Sequence, residues 1–347
     1  MGKIVVKRKL DLDELFGRTV AIDAYNVIYQ FLSIIRQPDG TPLMGPNGEV
    51  TSHLSGLFYR TMEIMQKGIK PIYVFDGIPS HLKQRTIMAR IGRREQARAQ
   101  WEQAKIEGDE EAMRIKAQAS TRITKEVVAS SMELLDCLGV GYIKAPGEGE
   151  AQASVMAADG VVYAACSQDY DTLLFGAPRI VRNLTFSGRR KLPRKNVYIN
   201  VETEIIDLNN TLAHLGITRE QLIWLGILIG TDFNEGIDKV GPKTALKISK
   251  SAGSIEDVKR YVAEKLNSSF DVDIKEVESL FTNPEVRRID LEEVKSLTAI
   301  SCNKQATVEF MCNQHGFSQD RIGKFLDVFE SASNKQRQKG IDAWLSG

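Results

Sequence analysis

Short apolar runs alternate with longer amphipathic stretches along this chain, and several of the runs end in an acid. Thr19-Val-Ala-Ile-Asp23 predicts a short buried strand. A helix is expected from Ala24 to Ile35, with Tyr25, Ile28, Tyr29 and Leu32 on one face. The Pro- and Gly-rich stretch from Pro38 to Gly48 reads as a loop, and a second helix runs from about Ser52 to Lys67. Ile69-Lys-Pro-Ile-Tyr-Val-Phe-Asp76 is a second strand that stops at an aspartate. Further on, Pro146-Gly147 marks a turn, with Glu148 and Glu150 where the next helix should begin. That helix stops at Asp159-Gly160, and Val161 to Cys166 reads as another buried strand. If this strand continues, Asp169 and Asp171 lie on one of its faces, since side chains alternate along a strand. Arg179 to Leu184 and Val197 to Val201 predict further strands, separated by the basic loop Arg189 to Lys195. Gln221 to Gly230 is a buried helix running into Thr231-Asp232, and Gly236 to Ala245 leads into the following helix. Residues 1–18 show no strong period.

Strands alternating with helices imply an α/β fold with a mostly parallel central sheet, whose strand ends open on one edge. A single aspartate after a strand is usually a turn or a helix cap. Here the event recurs, and it brings together Asp23, Asp76, Glu148, Glu150, Asp169, Asp171 and Asp232. So many carboxylates in one crevice cannot all stay ionised without cations. Oxygen-only ligands select Mg²⁺ or Mn²⁺ over zinc. Seven acids exceed what one octahedral Mg²⁺ uses, which favours two ions about 4 Å apart, the usual device for in-line phosphodiester hydrolysis.

Residues 81 to 100 carry Lys83, Arg85, Arg90, Arg93, Arg94 and Arg98 against a single acid, Glu95. Up to about Arg122 the segment is thin in core-forming residues, as expected of a basic lid beside an acidic pocket that takes a phosphate-bearing substrate. Lys83 and Arg90 are placed to neutralise charge building on the phosphate. Gly241 and Pro242 sit just ahead of a helix, where free N–H groups can hold a phosphate. The polar tail from Ser331 ends in Ile341, Trp344 and Leu345.

Composition narrows little beyond this. A net charge of +1 neither requires nor excludes a nucleic-acid partner. Cys137, Cys166, Cys302 and Cys312 form no Cys-x-x-Cys pair, so reduced thiols and no zinc site are expected. No apolar run approaches membrane-spanning length and no signal peptide is evident, so a cytoplasmic protein without membrane contact is expected.

In order along the chain, Val20-Ala-Ile-Asp23-Ala, Tyr29-Gln-Phe-Leu32, Thr51-Ser-His-Leu-Ser-Gly-Leu-Phe-Tyr-Arg-Thr61, Ile69 to Gly77, Ala145-Pro-Gly-Glu-Gly-Glu-Ala-Gln152, Ser167-Gln-Asp-Tyr-Asp171, Leu173 to Pro178 and Gly230-Thr-Asp232 match a family. The chain resembles the flap endonucleases, structure-specific 5′ nucleases of DNA replication and repair, and looks most like the archaeal type. The resemblance implies a nuclease core over residues 1–330, with a PIN-like twisted sheet flanked by helices. Within it come an N-terminal region 1–100, a helical arch at about 81–122, an internal region 123–232 and a helix–hairpin–helix at about 219–255. It implies two Mg²⁺ ions on the seven acids, with Mn²⁺ able to substitute, and a K⁺ ion at the hairpin. Lys83 and Arg90 would contact the scissile phosphate, and Tyr29 would stack on a base. Arg36, Thr51, Arg60, Arg93, Arg94, Lys239, Gly241, Lys243 and Thr244 would contact branched DNA bearing a 5′ flap, Thr51 on the 3′ flap side. The tail, 331–347, would bind a sliding clamp through Gln338, Ile341, Trp344 and Leu345, and the protein would act as a monomer. Three features depart from the family pattern: a shorter N-terminus, Lys239 in place of the hairpin's first glycine, and Leu345 where a second aromatic is usual.

Two rival readings compete. Asp169-Tyr-Asp171-Thr172 mimics the start of a haloacid-dehalogenase-type phosphatase, with Asp169 as nucleophile, but that leaves Asp23, Asp76, Glu148 and Glu150 unexplained. A non-catalytic scaffold for branched DNA gains nothing from seven carboxylates near phosphates.

Overall fold

The computed structural model describes residues 1–186, 188–191, 198–299 and 301–331. Gln338, Ile341, Trp344 and Leu345, and residues 192–195 of the basic loop, lie outside the described residues, while Arg189 to Lys191 of that expected loop form part of a strand. In chain order the elements are β1 Lys7–Lys9, β2 Thr19–Asp23, α1 Ala24–Ile34, α2 Ser52–Gln66, β3 Lys70–Phe75, α3 Gln84–Glu107, α4 Glu110–Ala119, α5 Lys125–Leu138, β4 Tyr142–Lys144, α6 Gly149–Ala158, β5 Ala164–Cys166, α7 Asp171–Leu174, β6 Arg179–Arg182, β7 Gly188–Lys191, β8 Tyr198–Val201, β9 Glu204–Asp207, α8 Leu208–Leu215, α9 Arg219–Ile229, α10 Pro242–Ser251, α11 Ile255–Leu266, α12 Ile274–Thr282, α13 Leu291–Thr298 and α14 Lys304–Val308.

Seven strands form one sheet in the order β1-β9-β6-β5-β2-β3-β4. The run from β6 to β4 is parallel throughout, while β9 pairs antiparallel with both β6 and β1. The sheet is therefore mixed, with the parallel strands running out to the β4 edge and the antiparallel strands β9 and β1 at the other. Its strands alternate between two apolar layers. Val20, Ile22, Tyr73 and Phe75 pack on one face with α1, α2 and α5, while Ala21, Ile72 and Val74 pack on the other with α6 and α9. That double coverage is why the strand sequences are nearly continuous apolar runs.

Two strand expectations need correction. The run Val161 to Cys166 forms a strand only from Ala164, because the N–H groups of Val161 and Val162 turn back onto the Met156 carbonyl at the end of α6. The strand also does not continue to Asp171. It stops at Cys166, and Asp171 opens the short helix α7, so a turn and not a strand face presents the two aspartates. Residues 1–18, read as patternless, contribute β1 and a 3₁₀ turn at Leu12–Leu15.

The basic segment folds as α3 and α4, and α3 buries only Ala97 and Ala104. Such a pair gains little from core packing and depends on contacts at its two ends. At the base, Arg85 pairs with Asp271 at 2.8 Å and Glu235 at 3.2 Å. At the far side, Trp101 Nε1 donates to the Asp39 carbonyl at 3.2 Å, and Arg36 bridges the Gly40 carbonyl and Thr121 Oγ1 at 2.7 and 2.8 Å. No single helix among the described residues is long and apolar enough to cross a membrane.

Candidate metal centre and nucleic-acid interface

Sheet register brings the acids together. Asp23 ends β2 opposite Val74 of β3, so Asp76 emerges just beyond it on the neighbouring strand. On the other side Ile22 is opposite Cys166, which sets Asp23 beside Ser167. Asp23 also caps α1, its Oδ1 accepting the Asn26 N–H at 3.0 Å, so the capping reading and the site reading both hold. Asp76 Oδ1 accepts the Gly149 N–H at 2.7 Å. A Cβ at Gly149 would lie 2.7 Å from that oxygen and 3.2 Å from the Val74 carbonyl, so only glycine lets the start of α6 approach Asp76 this closely. Glu148 is the cap residue of α6 and Glu150 lies in its first turn. Ser167 Oγ donates to Glu150 Oε1 and stands 3.4 Å from Asp23 Oδ2, tying two strand ends and a helix start together. Gly149 and Ser167 were not singled out in the sequence, because their roles depend on which element lies beside them.

A crevice of about 560 Å³ opens over these ends, lined by Asp23, Asp76, Glu148, Glu150, Asp169 and Asp232, together with Tyr25, Tyr29, Lys83, Arg90, Arg93 and Arg94. Asp171 is not in the lining. It lies just behind, its N–H donating to Asp169 Oδ1 at 3.2 Å, and its carboxyl is raised by burial and then by Asp169 and Asp232. Burial, followed by Asp76, pushes Asp23 up to about 7. Burial also lifts Asp76 to about 6, with Lys83 opposing and Glu148 reinforcing the shift. Glu150 is raised by burial and by Asp169 and Asp23.

Among the described residues no three acidic, imidazole or thiol side chains are gathered closely enough to ligate one ion as they stand. The counter-charge within the crevice comes from the basic segment. Lys83 Nζ donates to Glu148 Oε2 and lies 3.5 Å from Asp232 Oδ2, with its side chain 16 % exposed. Arg90 Nη2 reaches Asp232 Oδ1 at 2.5 Å. Burial works against the Lys83 charge, yet Glu148, Asp232 and Asp76 hold its pKa above the ordinary value. The donor set nonetheless fits hard divalent ions. It is all oxygen, and Glu148 Oε1 is buried without a hydrogen-bond partner, an acceptor held ready.

The raised carboxyls give a pH prediction. Asp23 and Asp76 bind protons more tightly in the folded chain than in the unfolded one, so without divalent cation their contribution to stability falls as pH rises through about 6 to 7. A cation bound there competes with those protons. The rise in melting temperature on adding Mg²⁺ to chelator-stripped protein should therefore grow between pH 5.5 and pH 8. An increment that stays flat across that interval would rule out these acids as the ligands.

The other expected contacts fall into two groups. Arg93 and Arg94 line the crevice, and the Arg94 guanidinium stands 5.8 Å from the centre of the Tyr29 ring. Gly241 caps α10 with no side-chain cap bond, and a Cβ there would meet nothing within 4 Å, so the fold itself does not demand a glycine. Lys243 and Thr244 are exposed on the first turn of α10, and exposed Lys239 adopts the left-handed region at φ 63°. Arg36, in contrast, has both Nη groups bonded within the protein, Thr51 is buried, and Arg60 pairs with Glu63 at 2.6 Å.

Family models agree with this architecture. The XPG N-terminal domain matches residues 2–97 and the XPG I-region matches residues 139–232. Flap endonuclease 1 of Sulfolobus acidocaldarius is 45 % identical over 352 residues, covering 99 % of each chain. That of Methanosarcina acetivorans is 46 % identical over 345 residues, again with 99 % of each covered. Among solved structures, flap endonuclease-1 from Methanococcus jannaschii superposes with a TM-score of 0.69 at 34 % identity, covering 96 % of this chain and 98 % of that one. The catalytic core of Rad2 in complex with DNA substrate shares the fold at a TM-score of 0.66 and 24 % identity, over 93 % of this chain and 96 % of that one. With relatives this similar along its whole length, the chain belongs to the flap endonuclease 1 family.

Proposed function

We propose that the chain is a structure-specific 5′ nuclease that hydrolyses DNA phosphodiesters near the base of 5′ flaps, with 5′–3′ exonuclease activity, in Okazaki-fragment maturation and repair. The observation that carries this reading is the crevice itself, where the sheet-edge acids face the basic side of α3. Asp23, Asp76, Glu148, Glu150, Asp169, Asp171 and Asp232 would hold two Mg²⁺ ions, or Mn²⁺ in their place. Bound there, the ions would supply Lewis acidity and lower the pKa of a water. Lys83 and Arg90 serve as stand-in counter-ions until a phosphate enters, then turn to the developing charge. Tyr29 offers its ring to a base beside the scissile bond, and α3 and α4 form the arch over the 5′ strand. Arg93 and Arg94 guide the strand, Thr51 supports the 3′ flap side from within the fold, and Arg36 and Arg60 are further DNA contacts. The α9–α10 hairpin grips the duplex through the free N–H groups at Gly241 and through Lys243 and Thr244, with K⁺ at the turn. We read the protein as a cytoplasmic monomer.

End-labelled double-flap DNA tests the reading. Mg²⁺-dependent cleavage at the junction, abolished by EDTA, is expected. Binding without cleavage would support a scaffold, and a covalent phospho-aspartate would support the phosphatase.

The hairpin gives a stability prediction. A left-handed non-glycine residue costs roughly 1 kcal/mol, so Lys239→Gly should raise the melting temperature while weakening duplex affinity through the lost charge. A lower melting temperature would mean that the added chain entropy of glycine, or a contact made by Lys239, outweighs that strain. For the tail, deleting residues 334–347 should abolish stimulation by the cognate sliding clamp and spare clamp-free cleavage. Undiminished clamp binding would move that contact into the core.

A further inference from the structure

We propose that Arg182 is a positioning residue for the turn 167–171, setting Asp169 and Asp171 by gripping the residue on each side of Asp169. This rests on the reading that those two acids hold divalent cations.

Arg182 closes β6, whose Val181 pairs with Cys166 at the end of β5, so its side chain reaches the turn that follows. Nη2 donates to the Gln168 carbonyl at 3.1 Å, and Nη1 donates to the Tyr170 hydroxyl at 2.5 Å. The guanidinium also stacks over the Tyr170 ring, 4.3 Å from its centre. The side chain is only 16 % exposed, and its Nε is buried without a partner. Its place is therefore set by what the two Nη groups hold and not by complete hydrogen bonding.

The turn needs an external brace. Its own bonds run from the Asp169 N–H to Ser167 Oγ at 3.1 Å, from the Asp171 N–H to Asp169 Oδ1 at 3.2 Å, and from Thr172 Oγ1 to the Asp169 carbonyl at 3.0 Å. Outside ties hold its two ends, Ser167 Oγ to Glu150 and the Asp232 N–H to the Asp171 carboxyl, whereas Gln168 and Tyr170 on either side of Asp169 are the residues that Arg182 grips. Two carboxylates facing Glu150 and Asp232 repel those acids and drive the segment outward. Arg182 opposes that drift from the far side, where Gly2 also crowds the Tyr170 hydroxyl: a Cβ at Gly2 would lie 2.8 Å from it. Glu204, the register partner of Arg182 on β9, stands 3.4 Å from Nη1 and balances its charge, and Lys7 lies 3.6 Å from Glu204. With its charge answered, Arg182 acts through placement and not through its field. A lysine could not make both bonds and stack at once.

Arg179 on the same strand is a matched control. It stacks over Tyr163 at 4.7 Å and donates to the Tyr163 carbonyl at 3.3 Å, the same pairing away from the acids. Chelator-stripped full-length protein is titrated with Mn²⁺ by calorimetry, alongside melting curves and flap-DNA binding in EDTA. Arg182→Lys and Tyr170→Phe should bind Mn²⁺ about 10-fold more weakly, the low end of the cost of losing an outer partner of a metal ligand, since both groups act one bond further out. Flap affinity in EDTA should not change, and excess Mn²⁺ should restore most of the single-turnover rate because every ligand remains. Arg179→Ala should bind Mn²⁺ as the unaltered protein does. Unchanged Mn²⁺ affinity in Arg182→Lys would overturn the proposal, as would an equal loss in Arg179→Ala. If the unaltered protein takes up no Mn²⁺, the reading of the acids fails and this inference falls with it.

Discussion

Asp171→Asn and Asp76→Asn should abolish most flap cleavage while leaving the metal-free protein as stable as before, or more so. The two effects part because the acids are held in a disfavoured state. Burial and like-charged neighbours raise Asp23, Asp76, Glu150 and Asp171, so each ionised carboxylate works against the fold when no divalent cation is present. Replacing one by a neutral amide of the same shape removes repulsion from the cluster. Catalysis suffers in proportion to what the carboxylate does for the cation. Loss of a direct ligand should exceed the roughly 100-fold seen for outer partners. Asp76 is the cleaner test of geometry, because its Oδ1 also accepts the Gly149 N–H and an asparagine oxygen can keep that bond. Single-turnover cleavage at saturating Mg²⁺, set beside melting curves in EDTA, measures both sides. Near-normal cleavage by either variant would remove that residue from the metal site. A large drop in melting temperature would make the acids structural.

Removal of the Lys83 ammonium should cost about 10²–10³-fold in single-turnover rate, the range for one donor aimed at transition-state charge. Flap affinity should fall far less. The ammonium sits among Glu148, Asp232 and the face of Phe233, 5.7 Å from the ring centre, where water is scarce and its charge is poorly screened. Arg90 is 44 % exposed and bonded to Asp232, so its alanine variant should show the same split with a smaller loss in rate. A residue that only steers phosphates behaves differently: its loss weakens binding across sequences and reduces the salt slope by about one. Affinity and single-turnover rate measured over a salt series separate the two roles. An equal loss in both would reject a catalytic part for either side chain. Lys83→Ala should also destabilise the metal-free protein, since it strips the cluster of its nearest counter-charge. Added Mg²⁺ should repair that loss if the cation and the ammonium compete for the same oxygens.

Much of this was legible in the chain because the signals are local. A buried parallel strand must be apolar on both faces, so Thr19–Asp23 and Lys70–Phe75 stood out, and the first acid after each run was visible as a strand-end residue. The thin core of α3 was equally plain, since its large apolar residues are few beside its many charged and polar ones and make no broad face to bury. The overlong strand at Val161 came from the same signal, because an apolar run does not reveal whether its N–H groups go to a neighbouring strand or back to the preceding helix. Helices α11 and α12 went unread although Ile255, Val258 and Val262, and then Ile274, Val277 and Phe281, follow helical spacing. Tertiary structure alone decided the rest. Strand order placed β5 beside β2, which made Ser167 a bridge between Asp23 and Glu150. The approach of α6 to β3 made Gly149 indispensable to Asp76, and the pairing of β6 with β5 put Arg182 behind the aspartate turn. The apolar pattern determined which residues end strands and which helices stay weakly anchored. Which acids face which cations depends on register and crossing, properties of pairs of segments that no single segment encodes.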